Sequence, residues 1–313
     1  MVTELVQNIL DGKRRALAQL ITLLEQDPGK IPETMKAVYP HTGKGYTIGV
    51  TGPPGAGKST LVDGIVRLMR KKGLSVGILA VDPTSPFSGG AVLGDRIRMQ
   101  RHYLDDGVFI RSMASRGTHG GVASATGEAV KLLDAFGKDF IIVETVGVGQ
   151  TELDVMGIAD TVVVVLSPEG GDTVQTMKAG LMEIADVFTV NKSDREGAGR
   201  LVANLKSMLS LSDQEGWWKP TIVSTQAHKG EGIEQLYEAI EKHWKAMVEG
   251  SHLSQRRGQR RRQEMAKRVE AGLRSETTDL LKPGGDFGDL AQRVEAGEID
   301  PYTAAAEALK ARG

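Results

Sequence analysis

Tyr46-Thr-Ile-Gly-Val-Thr-Gly52-Pro-Pro-Gly-Ala-Gly57-Lys58-Ser59-Thr60 runs an apolar strand-like segment into a glycine-rich loop and then into the start of a helix. The loop satisfies the phosphate-binding pattern G-x-x-x-x-G-K-[ST], and its flanks are the ones that pattern needs. Glycines let successive backbone N–H groups curl around a β-phosphate, and a helix N-terminus behind them adds its positive end. In that reading Gly55, Ala56, Gly57 and Thr60 complete the cradle, and Lys58 bridges β- and γ-phosphate oxygens. The Ser59 hydroxyl ligates Mg²⁺.

Outward from this stretch, apolar runs alternate with helical patterns. Tyr46–Thr51, Ser75–Val81, Val108–Arg111, Phe140–Glu144, Thr161–Leu166, Val187–Asn191 and Thr221–Ser224 read as strands. Near-continuous apolar strands separated by helices predict an α/β fold: a P-loop NTPase with a mostly parallel sheet flanked by helices. Ahead of it, apolar residues at mixed three- and four-residue spacing predict one amphipathic helix over 2–26, ended by Asp27-Pro28-Gly29. Beyond 248 the strands stop. Residues 251–313 read as helices broken at Pro283-Gly284-Gly285, with a new start near Asp300-Pro301, too thin to bury a core by themselves. The expected division is an N-terminal helical extension at 1–43, a nucleotide-binding domain at 44–248 and a C-terminal helical arm at 249–313.

Two further loops carry chemistry. Asn191-Lys192-Ser193-Asp194 follows an apolar strand downstream of the phosphate loop. A carboxylate at Asp194 accepts from both N1–H and the exocyclic amine of guanine, whereas adenine lacks that amine and presents a bare acceptor at N1. Buried polar groups left unpaired make such discrimination large. Lys192 lays its stem over the base and Asn191 braces the loop, with Ser224 and Thr225 as the last base-contacting turn. The expected ligands are therefore GTP and GDP. Phe140-Ile-Ile-Val-Glu144-Thr-Val-Gly147 delivers a carboxylate and then a glycine. Glu144 is suited to hold a Mg²⁺-bound water or to position the attacking water, and Gly147 to offer its N–H to the γ-phosphate. In many GTPases a Gln directly follows this glycine; here Val148 does, and the nearest is Gln150, which predicts slow intrinsic hydrolysis needing outside help. Asp82, and Asp95 on a glycine-rich stretch, suit a Mg²⁺-sensing switch.

Composition narrows the classes. The 313 residues include 40% apolar and 25% charged residues, and 39 Lys+Arg against 40 Asp+Glu leave a net charge of −1, which argues against bulk electrostatic binding of nucleic acid. Aromatics at 4% are too few for a base-stacking platform. With no cysteine there is no disulfide and no thiolate metal site, and the six histidines show no metal-ligand spacing. The apolar runs fall far below the roughly 18 residues a membrane span needs, and charges interrupt the N-terminal apolar residues, so a cytoplasmic protein without a membrane partner is expected. Arg256-Arg-Gly-Gln-Arg260-Arg-Arg262, with Glu264, Glu270 and Glu276 nearby, reads as a solvated or interfacial helix face.

With these residues in view, the chain resembles the MeaB/ArgK-like family of P-loop GTPases. The resemblance rests on Val81-Asp-Pro-Thr-Ser-Pro86, Gly94-Asp-Arg-Ile-Arg98, Glu144-Thr-Val-Gly-Val-Gly-Gln150, Gly170-Gly-Asp-Thr-Val-Gln175, Gly12-Lys-Arg-Arg-Ala-Leu17 and Arg293-Val-Glu-Ala-Gly-Glu-Ile-Asp-Pro-Tyr302. It implies a G domain with an N-terminal helical extension and a C-terminal dimerisation arm, hence a homodimer. It makes Ser59, Asp82, Asp95 and Glu144 the residues around the metal and the attacking water. It also makes Gly170–Lys178 an additional switch, in which Lys178 supplies positive charge once a partner orders it. The function implied is that of a GTPase chaperone that gates cofactor loading and protection of an adenosylcobalamin-dependent acyl-CoA mutase, methylmalonyl-CoA mutase foremost. A nickel-insertion GTPase, for which the chain lacks ligands, and an ATP-using transport kinase, which the Asn191–Asp194 loop opposes, are the competing classes. Asp194→Asn is expected to weaken GDP binding and relax base choice; unchanged GDP affinity by calorimetry would show the base-reading loop to be misassigned.

Overall fold

The computed structural model describes residues 1–83, 100–102, 104–115, 125–145, 155–169, 180–211 and 216–312. Seven strands form one sheet: β1 (Tyr46–Thr51), β2 (Val76–Pro83), β3 (Val108–Ser115), β4 (Phe140–Thr145), β5 (Thr161–Leu166), β6 (Val187–Val190) and β7 (Thr221–Ser224). Their spatial order is β3-β2-β4-β1-β5-β6-β7, and every pairing is parallel. The strand order departs to both sides of β1, so the loops leaving β1 and its neighbours diverge at the carboxyl edge, where open α/β sheets place their ligands.

Eleven α-helices are described: α1 (Val2–Leu10), α2 (Arg14–Gln26), α3 (Ile31–Val38), α4 (Lys58–Lys71), α5 (Thr126–Ala135), α6 (Leu181–Ile184), α7 (Ala198–Leu211), α8 (Ile233–Glu249), α9 (His252–Leu280), α10 (Gly288–Glu295) and α11 (Pro301–Arg312). β1, β4 and β5 are buried on both faces, which explains why they read as unbroken apolar runs rather than alternating ones. Alternate residues of each strand feed separate cores. Ile141, Val143, Val162, Val164 and Phe188 pack with α1, α2, α3, α5 and α7. Ile48, Val50, Ile142, Val163 and Val165 pack with α4 and α8 on the other face.

Where a single helix over 2–26 was expected, the chain makes two. Gly12 adopts φ +77°, its N–H bonds the carbonyl of Ile9 (2.9 Å), and the N–H of Lys13 reaches back to Asn8 (2.9 Å). This left-handed glycine cap closes α1 and lets α2 turn back against it. The apolar spacing survives the break because both helices present one face to the same core, through Val6 and Ile9 and through Leu17, Leu20, Ile21 and Leu24. The phosphate-loop helix starts at Lys58.

The chain divides into two compact units, Met1–Leu253 and Ser254–Gly313. Helices α1 to α3 belong to the first, sharing its core. In the second, α9 has no buried residue, and Met265, Val269 and Leu273 are exposed at four-residue intervals. The helix breaks around Pro283–Gly285 and before Pro301 fall where the sequence places them. Among the described residues no helix is long and apolar enough to cross a membrane.

At the carboxyl end of β1 the main chain has no room to spare. Gly52 lies at φ +135°, and a Cβ there would overlap the carbonyl oxygen of Val165 in β5. Gly55, at φ +77°, would meet nothing within 4 Å. Gly52→Ala is therefore expected to lower the unfolding free energy by about 3 kcal/mol or more, and Gly55→Ala by only about 1–2 kcal/mol. Urea denaturation of the two variants tests this; equal losses would contradict it.

Candidate functional site

The candidate site is the carboxyl edge of the sheet around β1. From Thr51 the loop Gly52–Gly57 leads straight into α4, whose first described α-helical bond runs from Leu61 N–H to the Gly57 carbonyl (3.0 Å). The positive end of the helix dipole thus faces the loop. Gly57 is left-handed at φ +90°, which lets the chain turn sharply from loop to helix. Lys58, buried despite its charge, donates its ammonium to the carbonyls of Gly52 (2.8 Å) and Pro53 (3.0 Å). The loop's own backbone therefore holds the lysine across the loop rather than out in solvent.

Beside the loop, β4 is the neighbour of β1, with Val50 opposite Glu144 in the parallel register. That register puts the Glu144 carboxylate within reach of the first turn of α4. The Ser59 hydroxyl donates to Glu144 Oε1 at 2.6 Å, with both residues buried. One position on, Thr145 donates its hydroxyl to that of Thr51 (2.9 Å), tying the two strand ends together. Hydroxyl and carboxylate oxygens are the hard donors that Mg²⁺ takes, so the residues fit that ion. Asp82 lies near the end of β2, the strand on the far side of β4. Asp95, Gly147, Lys178 and the rest of the stretch Gly170–Lys178 lie outside the described residues.

The third element is the loop after β6. Asn191 is buried, and its side chain makes three bonds. Its Nδ2 donates to the carbonyl of Ala56 in the phosphate loop (2.8 Å). Its Oδ1 accepts from the Thr225 hydroxyl and from the Ala227 backbone N–H, both at 3.1 Å. A Cβ at residue 57 would overlap that same amide nitrogen, so Gly57 is needed for contact as well as for its φ. The Ser193 N–H bonds the Thr225 carbonyl (3.0 Å), and Thr225 N–H bonds the Val190 carbonyl (2.9 Å). Lys192 stands between these fixed points at φ +56°, and Asp194 is exposed. Ser224 is exposed, whereas the Thr225 side chain is turned inward to hold Asn191. Thr225 and the Ala227 amide thus support the loop. Nothing in the sequence marks Ala227, because its contribution is a backbone group.

A phosphate loop capped by a helix, a buried serine–carboxylate pair on the adjoining strand and an Asn-Lys-x-Asp loop braced against them define a P-loop GTPase. Comparison with known proteins carries the assignment further. The sequence model of the family described as methylmalonyl Co-A mutase-associated GTPase MeaB matches residues 17–280, and the chain belongs to that family. A Pyrococcus abyssi protein named only as a GTPase is 49% identical over 314 residues, covering 99% of this chain and 96% of that one. The mitochondrial methylmalonic aciduria type A homolog of Mus musculus is 35% identical over 274 residues, covering 82% of this chain and 66% of the mouse protein. A crystal structure of LAO/AO transport system kinase superposes with a TM-score of 0.74 at 27% identity, covering 98% of this chain and 95% of that one. The protein is accordingly a GTPase.

The brace yields a direct prediction. Asn191→Ala removes the partner of the Ala56 carbonyl, the Thr225 hydroxyl and the Ala227 N–H in a buried setting. At about 1–3 kcal/mol for each buried group left unsatisfied, less what water recovers, a loss of about 2–4 kcal/mol in stability is expected, together with weaker GDP binding. Chemical denaturation and GDP titration of the variant check it; wild-type stability would show that the three loops are held by other means.

Proposed function

We propose that this GTPase is a nucleotide-gated chaperone of an adenosylcobalamin-dependent acyl-CoA mutase, most simply methylmalonyl-CoA mutase, controlling when the mutase receives and keeps its cofactor. The observation that carries this reading is the match of residues 17–280 to a family described by its association with that mutase. The relationship to a methylmalonic aciduria type A homolog supports it. A G protein acts on a client through different affinities in its two nucleotide states, and slow hydrolysis of its own lets the client set the moment of the switch. The sequence Gly147-Val148-Gly149-Gln150, with glutamine displaced from the usual position, supports slow basal turnover.

In this reading Gly55, Ala56, Gly57 and Thr60 offer backbone N–H groups to the phosphates, and Lys58 gives up the Gly52 and Pro53 carbonyls to pair with β- and γ-phosphate oxygens. Asn191, Lys192, Asp194, Ser224 and Thr225 form or support the guanine pocket. Ser59, with Glu144, Asp82 and Asp95, would hold Mg²⁺, which when bound neutralises charge on the phosphates. Glu144 also orients the attacking water, Gly147 donates to the γ-phosphate, and Lys178 supplies transition-state charge once the client orders its segment. The exposed Met265, Val269 and Leu273 support a homodimer through the arm at 249–313. The setting is cytoplasmic, with no nucleic acid or membrane partner. A transport-system kinase role, suggested by the description of one structural relative, is opposed by the guanine-type loop, and a nickel-insertion role by the lack of cysteine.

The test is the hydrolysis rate of the full-length protein with GTP and with ATP, alone and with a cobalamin-dependent acyl-CoA mutase from the same source. Slow GTP turnover that rises by at least about an order of magnitude with the mutase is the expected result. GTP turnover indifferent to the mutase would overturn the client assignment, and preferential ATP use would overturn the guanine reading.

A further inference from the structure

Glu169 belongs to none of the motifs above, yet it is joined to the base-reading loop. It follows β5 through Ser167 and Pro168, while Lys192 follows β6, and those strands are parallel neighbours whose carboxyl ends lie side by side. Lys192 Nζ donates to Glu169 Oε2 at 2.7 Å, and Arg195 Nε stands 3.4 Å from Glu169 Oε1. Each carboxylate oxygen therefore faces its own cation. The Lys192 N–H donors hold the Glu169 carboxyl below the usual carboxylate range, so it remains ionised near neutrality.

The backbone on either side of Lys192 is fixed by other means. Asn191 is locked into the brace, Ser193 N–H is bonded to Thr225, and Arg195 N–H closes a turn onto the Lys192 carbonyl (2.9 Å). Lys192 itself adopts φ +56°, uncommon for a residue with a Cβ. What the backbone does not fix is the four-carbon stem, which otherwise samples many rotamers and must be ordered when a base arrives.

We propose that Glu169 is a positioning residue for nucleotide recognition, drawing the Lys192 ammonium to one side so that the lysine stem is already laid where the face of the purine ring packs. The inference rests on the guanine reading of the Asn191–Asp194 loop and adds a residue that the motif does not contain. A stem that packs on the ring face acts on any purine, whereas Asp194 reads the exocyclic amine. The two contributions therefore separate when GDP is compared with inosine diphosphate, which lacks that amine.

The experiment is calorimetric titration of the full-length protein and its Glu169→Gln, Lys192→Ala, double and Asp194→Asn variants with GDP and inosine diphosphate, with GTP turnover at saturation alongside. Glu169→Gln is expected to weaken both nucleotides by the same factor, about two- to fivefold, the range an exposed ion pair carries. The GDP-to-inosine preference and kcat should be unchanged, and Glu169→Gln should have no further effect once Lys192 is Ala. Wild-type affinity in Glu169→Gln, or an equal loss in the Lys192→Ala background, overturns the proposal; if Asp194→Asn still lowers the GDP preference, the guanine reading stands without it. If neither Lys192→Ala nor Asp194→Asn alters GDP binding, the base loop is misassigned and both fall together.

Discussion

One buried side-chain amide holds the site together. Asn191 reaches the phosphate loop through Ala56, and the following turn through Thr225 and Ala227. Three loops from three strands are thereby fixed to one another by a group that can neither be hydrated nor be left unpaired without cost. Ala56 belongs to the loop that would grip phosphate, while Lys192 and Asp194 belong to the loop that would read the base. The distance between the two ends of a nucleotide is thus set before any nucleotide binds, which lowers the ordering cost of binding.

The brace works only because the sheet delivers its ends to the right places. Parallel pairing in the order β4-β1-β5-β6-β7 puts the exits of five strands along one edge. The β1–β4 register then sets Glu144 beside Ser59, and the β5–β6 register sets Glu169 beside Lys192. Glycine fills the points of closest approach, at Gly52 against β5 and at Gly57 against Asn191, where any side chain would force the loop away. The two cores on the faces of the sheet keep these edges rigid, and α1 to α3 extend one of those cores.

Much of this was legible without coordinates. Seven strands, the phosphate loop and its helix followed from apolar runs and glycine spacing, because a strand buried on both faces has little choice but Val, Ile and Leu. The role of Asn191 as a brace followed from its place in the Asn-Lys-x-Asp loop, though its three partners did not. The division of the N-terminal helix at Gly12 was hidden because both halves keep the same apolar face, and a lone glycine within a helical pattern is ambiguous. The inward turn of Thr225 was hidden too, since a Ser-Thr turn reads the same whether its hydroxyl meets a ligand or a neighbour.

The class of chemistry is local: residue types at fixed spacing decide that a loop can cradle phosphate, and that spacing is written along the chain. Which of these residues meet is a property of the folded sheet. Glu144 is 85 residues from Ser59, Asn191 135 from Ala56 and Lys192 23 from Glu169, and no local pattern encodes those pairings. They are fixed by strand order and register, which depend on how the whole chain buries its apolar surface rather than on any one segment.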